Sequence, residues 1–199
     1  EISECLVGSE MCIRDRVRAM RRPFVLGTER PAARNVILIC GGAGTGRHFA
    51  LAETARIMAA RGLLQSDKTA VVDLALYPNS GAEKLFLQDL YAALHAPGEI
   101  VIFEHYESCY PGFLKTISDL AVKGSAPLSS RYLVNKEGIL VDAGTALAPG
   151  AVSRIDPRGK YLIFFSRKGR EALADKFGAS FVAAVGDAVS YTHLRAHET

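Results

Sequence analysis

The chain has 199 residues, of which 49% are apolar and 23% charged, with a formal net charge of +3. That is enough chain for one domain with a sizeable core, and the composition is neither that of a disordered nor of a fibrous protein. The basic surplus is mild and forms no stripe, so nucleic acid is not an expected partner. No apolar run approaches the length of a membrane span, so a membrane is not expected either.

Taken in chain order, the first segment, Glu1–Arg16 (EISECLVGSEMCIRDR), carries no periodic apolar pattern. Neither does the last, Val189–Thr199 (VSYTHLRAHET), which continues nothing that precedes it. Both resemble translated sequencing-adapter DNA. Residues 17–188 are therefore taken as the folded unit, and 1–16 and 189–199 as non-native segments expected to stand exposed and unpaired. Setting these ends aside removes Cys5, Cys12, His193 and His197. Cys40 and Cys109 remain, in or beside apolar runs, and two unpatterned thiols point to a reducing, cytoplasmic setting rather than a disulfide framework. No signal peptide is visible.

Val36–Cys40 (VILIC) is a continuous apolar run, the pattern of a strand buried on both faces. A glycine-rich turn, Gly41–Gly46, follows. An apolar set from Phe49 to Ala59 then predicts a helix that ends at Arg61-Gly62. Ala70–Leu74 is a second strand, stopped by Tyr77-Pro78-Asn79. Glu83–His95 is a helix with Leu85, Phe86, Leu90, Ala93 and Leu94 along one face. Ile100–Phe103 is a third buried strand. Pro111 opens a helix at its first position, with Phe113, Leu114, Ile117, Leu120 and Ala121 inward. Tyr132–Asp142, centred on Lys136-Glu137-Gly138, predicts a hairpin. Tyr161–Phe165 is a fourth apolar strand, and two short helical stretches follow across Arg170–Asp187. Strands alternating with helices define an α/β fold with a parallel, doubly wound sheet.

Gly41–His48 reads Gly41, Gly42, Ala43, Gly44, Thr45, Gly46, Arg47, His48. It matches the phosphate-loop spacing G-x-x-x-x-G-K-[ST] except at its last two positions. Glycines let successive backbone N–H groups point into one concavity, and the helix that follows adds its dipole. The pattern alone is equally that of a strand-to-helix turn without a ligand.

In order along the chain, further segments resemble the second ATPase module of the Clp-type AAA+ unfoldases. Arg21-Arg22 and the run to Asn35 are similar to the family's lead-in to its first strand. Asp73–Tyr77 (DLALY) sits where the family carries D-M-S-E-Y. Ile100–Glu104 with Tyr106–Pro111 resembles the Walker B strand and its continuation. Gly124 and Arg131–Val141 are similar to the family's G-R-L-T-D…G-R-x-V-D-F segment, and Tyr161–Arg167 (YLIFFSR) to its sensor-1 strand, V-V-I-M-T-S-N. Phe177 and the stretch from Phe181 to Asp187 resemble F-x-P-E-F-L-N-R-I-D. The resemblance implies the large subdomain of a P-loop NTPase of the AAA+ class, a three-layer sandwich with a mostly parallel sheet. Its last strand and its helical lid would be missing, leaving the edge beside Val36–Cys40 open. It also implies ATP or ADP as a weakly held ligand with Mg²⁺ as companion ion, and protein partners, among them neighbours in an AAA+ ring.

Departures from the family pattern cluster on the chemistry. Arg47 replaces the phosphate-loop lysine, keeping the charge on a larger fork. His48 replaces the hydroxyl that binds Mg²⁺, and imidazole is a poor ligand for a hard ion. Glu104 stands at the Walker B aspartate, and His105 where a glutamate polarises the attacking water. Arg167 replaces the sensor-1 asparagine. Ala184 falls at the arginine finger, whose loss alone typically costs roughly 10³–10⁵ in rate. The stretch between Tyr77 and Ile100 lacks the aromatic pore loop. These substitutions imply a degenerate nucleotide-binding or structural module with little or no hydrolysis. Two other readings stay open: a slow ATPase using Glu104, His105 and Arg167, and a different P-loop protein such as a small-molecule kinase. Family geometry brings Arg47, His48, Glu104 and His105 together. The expected outcome is an Arg47–Glu104 ion pair filling the phosphate site; the other is His48, His105 and Glu104 converging as a metal-binding set.

Overall fold

The computed structural model describes residues 14–22, 33–144 and 148–190. Residues 1–13 and 191–199, most of the arginine-bearing lead-in (23–32) and residues 145–147 lie outside these. Cys5, Cys12, His193 and His197 therefore lie outside them as well.

Four apolar runs become strands of a five-stranded parallel sheet, three of them central and the Ala70–Leu74 run at one edge. They are β1 (Asn35–Cys40), β2 (Thr69–Asp73), β3 (Ile100–Glu104) and, after three strands of a smaller sheet, β7 (Tyr161–Ser166). The strand order is β2-β3-β7-β1-β8, where β8 is Asp187–Ser190. Alternation along each strand builds two cores, since successive side chains leave a sheet on opposite faces. Ile37, Ile39, Ile100, Ile102, Ile163 and Phe165 pack under α2 (Arg47–Ala60) and beneath Ala19 and Met20 of the helical segment 14–22, here α1. Val36, Leu38, Val101, Phe103, Leu162 and Phe164 face the other way. They are covered by α3 (Glu83–His95), α4 (Pro111–Lys123), α5 (Arg170–Phe177) and α6 (Ala179–Ala184). The result is a sheet between two helical layers, the three-layer α/β architecture expected.

The hairpin forms with Tyr132 opposite Asp142, from β4 (Ala126–Val134) and β5 (Leu140–Asp142). A third strand, β6 (Val152–Ile155), joins the other edge of β4, so the hairpin is part of an antiparallel sheet ordered β5-β4-β6. Only four residues long and half polar (VSRI), β6 has no pattern by which to be read.

Two expectations are corrected. The edge beside β1 is not open. The helical stretch ends at Ala184, and Asp187–Ser190 turns into β8, parallel to β1, with Ile39 beside Val189 and Cys40 beside Ser190. Residues 189–190 and 14–16, expected to stand exposed and unpaired, do not stand apart either: Val189 and Ser190 belong to β8, with Val189 buried, and 14–16 are helical with Arg16 buried. The reason is local hydrogen bonding at the C-terminal end of α1. Asn35 Nδ2 donates to the Ala19 carbonyl at 3.1 Å, Tyr161 Oη to that of Met20 at 2.6 Å, and Arg22 Nη1 to that of Gly186 at 2.7 Å. A helical segment fastened by its carbonyls shows little apolar periodicity.

At the same end of the sheet, directly before β7, Lys160 is buried. Its Nζ donates to the carbonyls of Gly98 at 2.5 Å, Ala93 at 3.5 Å and Ala96, satisfying acceptors at the C-terminal end of α3.

Candidate nucleotide site

The glycine-rich turn leaves β1 at the carboxyl edge of the sheet, as required for a phosphate loop. β1 is also where the strand order switches: the chain crosses from it to the far edge at β2, while β7 leads to β8 on its other side. In open α/β sheets the crevice at such a switch point is where ligands sit. Gly41 N–H donates to the Ser166 carbonyl at 2.9 Å, tying the loop to the end of β7. Gly44 and Gly46 have φ of 74° and 73°, a left-handed conformation that residues with a Cβ seldom enter. Gly46 is the N-cap of α2, and no side chain caps that helix. The first-turn N–H groups thus have no side-chain acceptor, the arrangement by which helix N-termini attract anions.

A cavity of about 210 Å³ opens beside the loop, lined by Ala43, Gly44, Arg47, His48, Glu104, His105, Glu107, Phe165 and Arg167. The sequence-derived site residues Arg47, His48, Glu104, His105 and Arg167 therefore do share one cavity. Their pairing differs from expectation. Nε2 of His48 lies 2.6 Å from Oε1 of Glu104, and the carboxylate is largely buried. Arg47 is not the partner of Glu104. Its Nη1 donates to the Ser166 carbonyl at 3.0 Å, and its guanidinium lies 4.9 Å from the centre of the Phe165 ring. The long side chain reaches back across the crevice to β7, while the shorter imidazole, one residue on, reaches Glu104 and meets the same Phe165 ring edge-on at 4.9 Å. Burial pushes the Arg47 guanidinium below its ordinary value. The charge of Arg167 adds to this, and Glu104 opposes it.

His105 does not join His48 and Glu104 as a metal-binding set. Its Nδ1 lies 2.8 Å from Oδ1 of Asp73, the residue beside Glu104 in the β2–β3 register. Its φ of 54° is left-handed. A side chain with a Cβ pays about 1–2 kcal/mol there, and such strain gathers at functional sites. Among the described residues, no three His, Cys, Asp or Glu side chains are placed to share a metal ion.

Sequence reasoning missed Asp73, Phe165, Ser166 and Glu107 as parts of this site. A signal for the first existed: Asp73 and Glu104 both end apolar strands with an acid. Ser166 had none, because its carbonyl and hydroxyl gain their roles only where β7 meets β1. The Ser166 Oγ lies 2.8 Å from the Tyr106 hydroxyl and accepts from Lys168 N–H at 3.1 Å, deep in the protein.

Fold and cavity together define an α/β protein with a strand–glycine loop–helix unit at the carboxyl edge of a mostly parallel sheet. No protein-family model matches the sequence, and no curated protein matches it. Among solved structures the fold is similar to that of the S. cerevisiae Hsp104–ADP complex, with a TM-score of 0.56 and 14% identity over 89% of this chain. The match spans 26% of the Hsp104 chain. A second structure, that of YGR205w protein, overlaps with a TM-score of 0.38 at 11% identity, over 89% of this chain and 62% of that one. The α/β fold is thus one that resembles the Hsp104 AAA+ module. None of the helices among the described residues is long and apolar enough to cross a membrane.

Proposed function

We propose that residues 17–188 are the large subdomain of a Clp-like AAA+ module that binds nucleotide and hydrolyses it slowly or not at all. Such a module acts as a nucleotide-binding or regulatory subunit beside other protein subunits, in a cytoplasmic assembly. The observation that carries this reading is the Gly41–Gly46 loop, fastened by its first N–H to Ser166 at the strand-order switch and leading into an uncapped helix. The Hsp104 structure of similar fold was solved with ADP, and ADP is the natural first ligand to try. The chemistry of hydrolysis is less well served. Glu104 faces His48, and Arg47 faces backbone at Ser166. Calorimetric titration with ADP tests the binding, and phosphate release from ATP tests turnover. Absence of any nucleotide binding would reject the proposal, and turnover as fast as that of an ordinary AAA+ ATPase would reject its second half.

One observation favours the slow-ATPase reading. Asp73 holds Nδ1 of His105, which fixes the imidazole tautomer and leaves Nε2 as the proton-accepting nitrogen. If His105 orders water, His105→Ala abolishes the residual phosphate release and Asp73→Asn reduces it, with ADP affinity unchanged in both.

A further inference from the structure

A nucleotide bound by an AAA+ module ordinarily brings Mg²⁺, so the side chains available to that ion are the test. Mg²⁺ demands near-octahedral oxygen ligation and gives up its waters reluctantly. The two positions that would serve it hold His48 and Glu104, and these hold each other at 2.6 Å. The imidazole offers nitrogen, a poor match for a hard ion, and its N–H occupies the carboxylate oxygen the ion would need. Asp73 is engaged by His105. Glu107 also lines the cavity, on the turn after β3 rather than at either of those positions, and no three candidate ligands converge among the described residues. The residues present do not fit Mg²⁺.

What the cavity does hold is two guanidinium groups, Arg47 from the start of α2 and Arg167 from the end of β7. Burial above all makes Arg47 less comfortable as a cation, and the charge of Arg167 adds to this. An anion between the two removes the repulsion. A guanidinium is permanently charged, weakly hydrated and shaped to fork onto two phosphate oxygens. Two of them supply two positive charges, as many as one Mg²⁺ ion carries.

We infer that this site takes the oligophosphate of a nucleotide in its metal-free form, clamped by Arg47 and Arg167, and that Mg²⁺ weakens binding. This rests on the nucleotide-binding reading above. Mg²⁺ chelates the same phosphate oxygens and removes two negative charges, so the guanidinium groups lose attraction while the ion finds no protein oxygens to complete its shell. Inorganic tripolyphosphate presents the same oxygens without a base, so the clamp chemistry has two sources that must be told apart.

The experiment is a titration of the intact chain with a fluorescent ADP analogue at constant ionic strength, in EDTA and again in excess Mg²⁺. Binding is expected to be about tenfold tighter in EDTA. Arg167→Gln, at an exposed position where the melting temperature is expected to stay unchanged, is expected to cost about tenfold in EDTA and to remove most of the Mg²⁺ effect. In EDTA, unlabelled ADP should displace the analogue at lower concentration than tripolyphosphate does. Equal displacement by tripolyphosphate would keep the clamp and overturn the nucleotide as its ligand. Tighter binding with Mg²⁺, or no effect of Arg167→Gln, overturns the inference and leaves the nucleotide reading standing. Failure to bind in either buffer overturns both.

Discussion

Nε2 of His48, in the first turn of α2, lies 2.6 Å from Oε1 of Glu104 at the end of β3, so the helix that follows the glycine loop is pinned to the strand beside β7 by a side-chain contact. The pinned carboxylate is negative charge held beside the loop where a phosphate would lie, and it draws on Arg47 as well. Removing it should make the pocket more attractive to anions. Glu104→Ala is expected to bind metal-free ADP several-fold more tightly, about 1 kcal/mol for a charge acting at a half-exposed site. Calorimetric titration of both proteins in EDTA measures it. Weaker binding by the variant would mean that Glu104 serves the ligand and that its pairing with His48 is not what sets affinity.

The Ser166–Tyr106 pair lies beneath the loop, and both side chains are about 1% exposed. Oγ and Oη are 2.8 Å apart. Burial pushes the Tyr106 phenol above its ordinary value, so the hydroxyl keeps its proton and remains a donor. Ser166→Ala strands that hydroxyl, which typically costs about 1–3 kcal/mol. Tyr106→Phe leaves Ser166 Oγ its bond from Lys168 N–H and should cost less, about 1 kcal/mol. Urea unfolding of the two single variants and the double variant gives the coupling directly. Equal losses, adding fully in the double variant, would show that the two hydroxyls do not interact.

Cys109 sits between the turn after β3 and the start of α4, 6% exposed. Burial pushes its thiol up to about 11 from an ordinary value of 9.0. Below pH 9 the thiol is neutral in both folded and unfolded chains, and its contribution to stability is complete. Between the two values the unfolded chain loses its proton first. The folded chain then binds more protons, and stability falls as pH rises. At about 1.4 kcal/mol per unit over two units, the loss through this window is about 3 kcal/mol. Chemical denaturation across pH 8–11 should therefore be steeper in pH for the wild type than for Cys109→Ala. Parallel profiles would place the alkaline dependence on other groups.

The architecture was legible wherever an apolar run is long enough to have only one use. VILIC, IVIF and YLIFF are buried on both faces and mark the sheet centre, and α3 and α4 carry one-sided apolar patterns that fix their limits. β8 was not legible, because its four residues begin with an acid, and its burial comes from pairing with β1 and not from its own hydrophobicity. That Arg47, His48, Glu104, His105 and Arg167 line one cavity was legible too, since they lie at strand ends or the start of a helix, whereas Phe165 and Glu107 in its lining were not. Which of them pair was not. Arg47, His48, Glu104, His105 and Asp73 offer several ways to balance their charges. The choice depends on reach: whether a side chain on the first turn of α2 ends at β3 or at β7 is set by ångströms that no spacing encodes.

The last prediction runs the substitution logic backwards. If Mg²⁺ is excluded because nitrogen and an already engaged carboxylate stand at its ligand positions, restoring oxygen chemistry there should restore it. His48→Thr replaces the imidazole by a hydroxyl and frees the carboxylate. Glu104→Asp shortens that carboxylate by one methylene, and Arg47→Lys withdraws the fork lying over Phe165 and leaves a compact ammonium for the phosphates. His48 is exposed and Arg47 partly so, and the triple variant should fold, with a melting temperature within a few degrees of the wild type. The readout is the ratio of ADP affinity with Mg²⁺ to that in EDTA. In the wild type the ratio is expected below one. In the triple variant it should exceed one, a reversal of about tenfold to a hundredfold, or about 1.4–3 kcal/mol of coupling. His48→Thr alone should move the ratio part of the way, because freeing Glu104 is the step on which metal access depends. A folded triple variant that binds ADP as the wild type does, with the same preference for EDTA, would show that the His48–Glu104 contact is incidental to metal exclusion and that the cause lies in the shape of the loop.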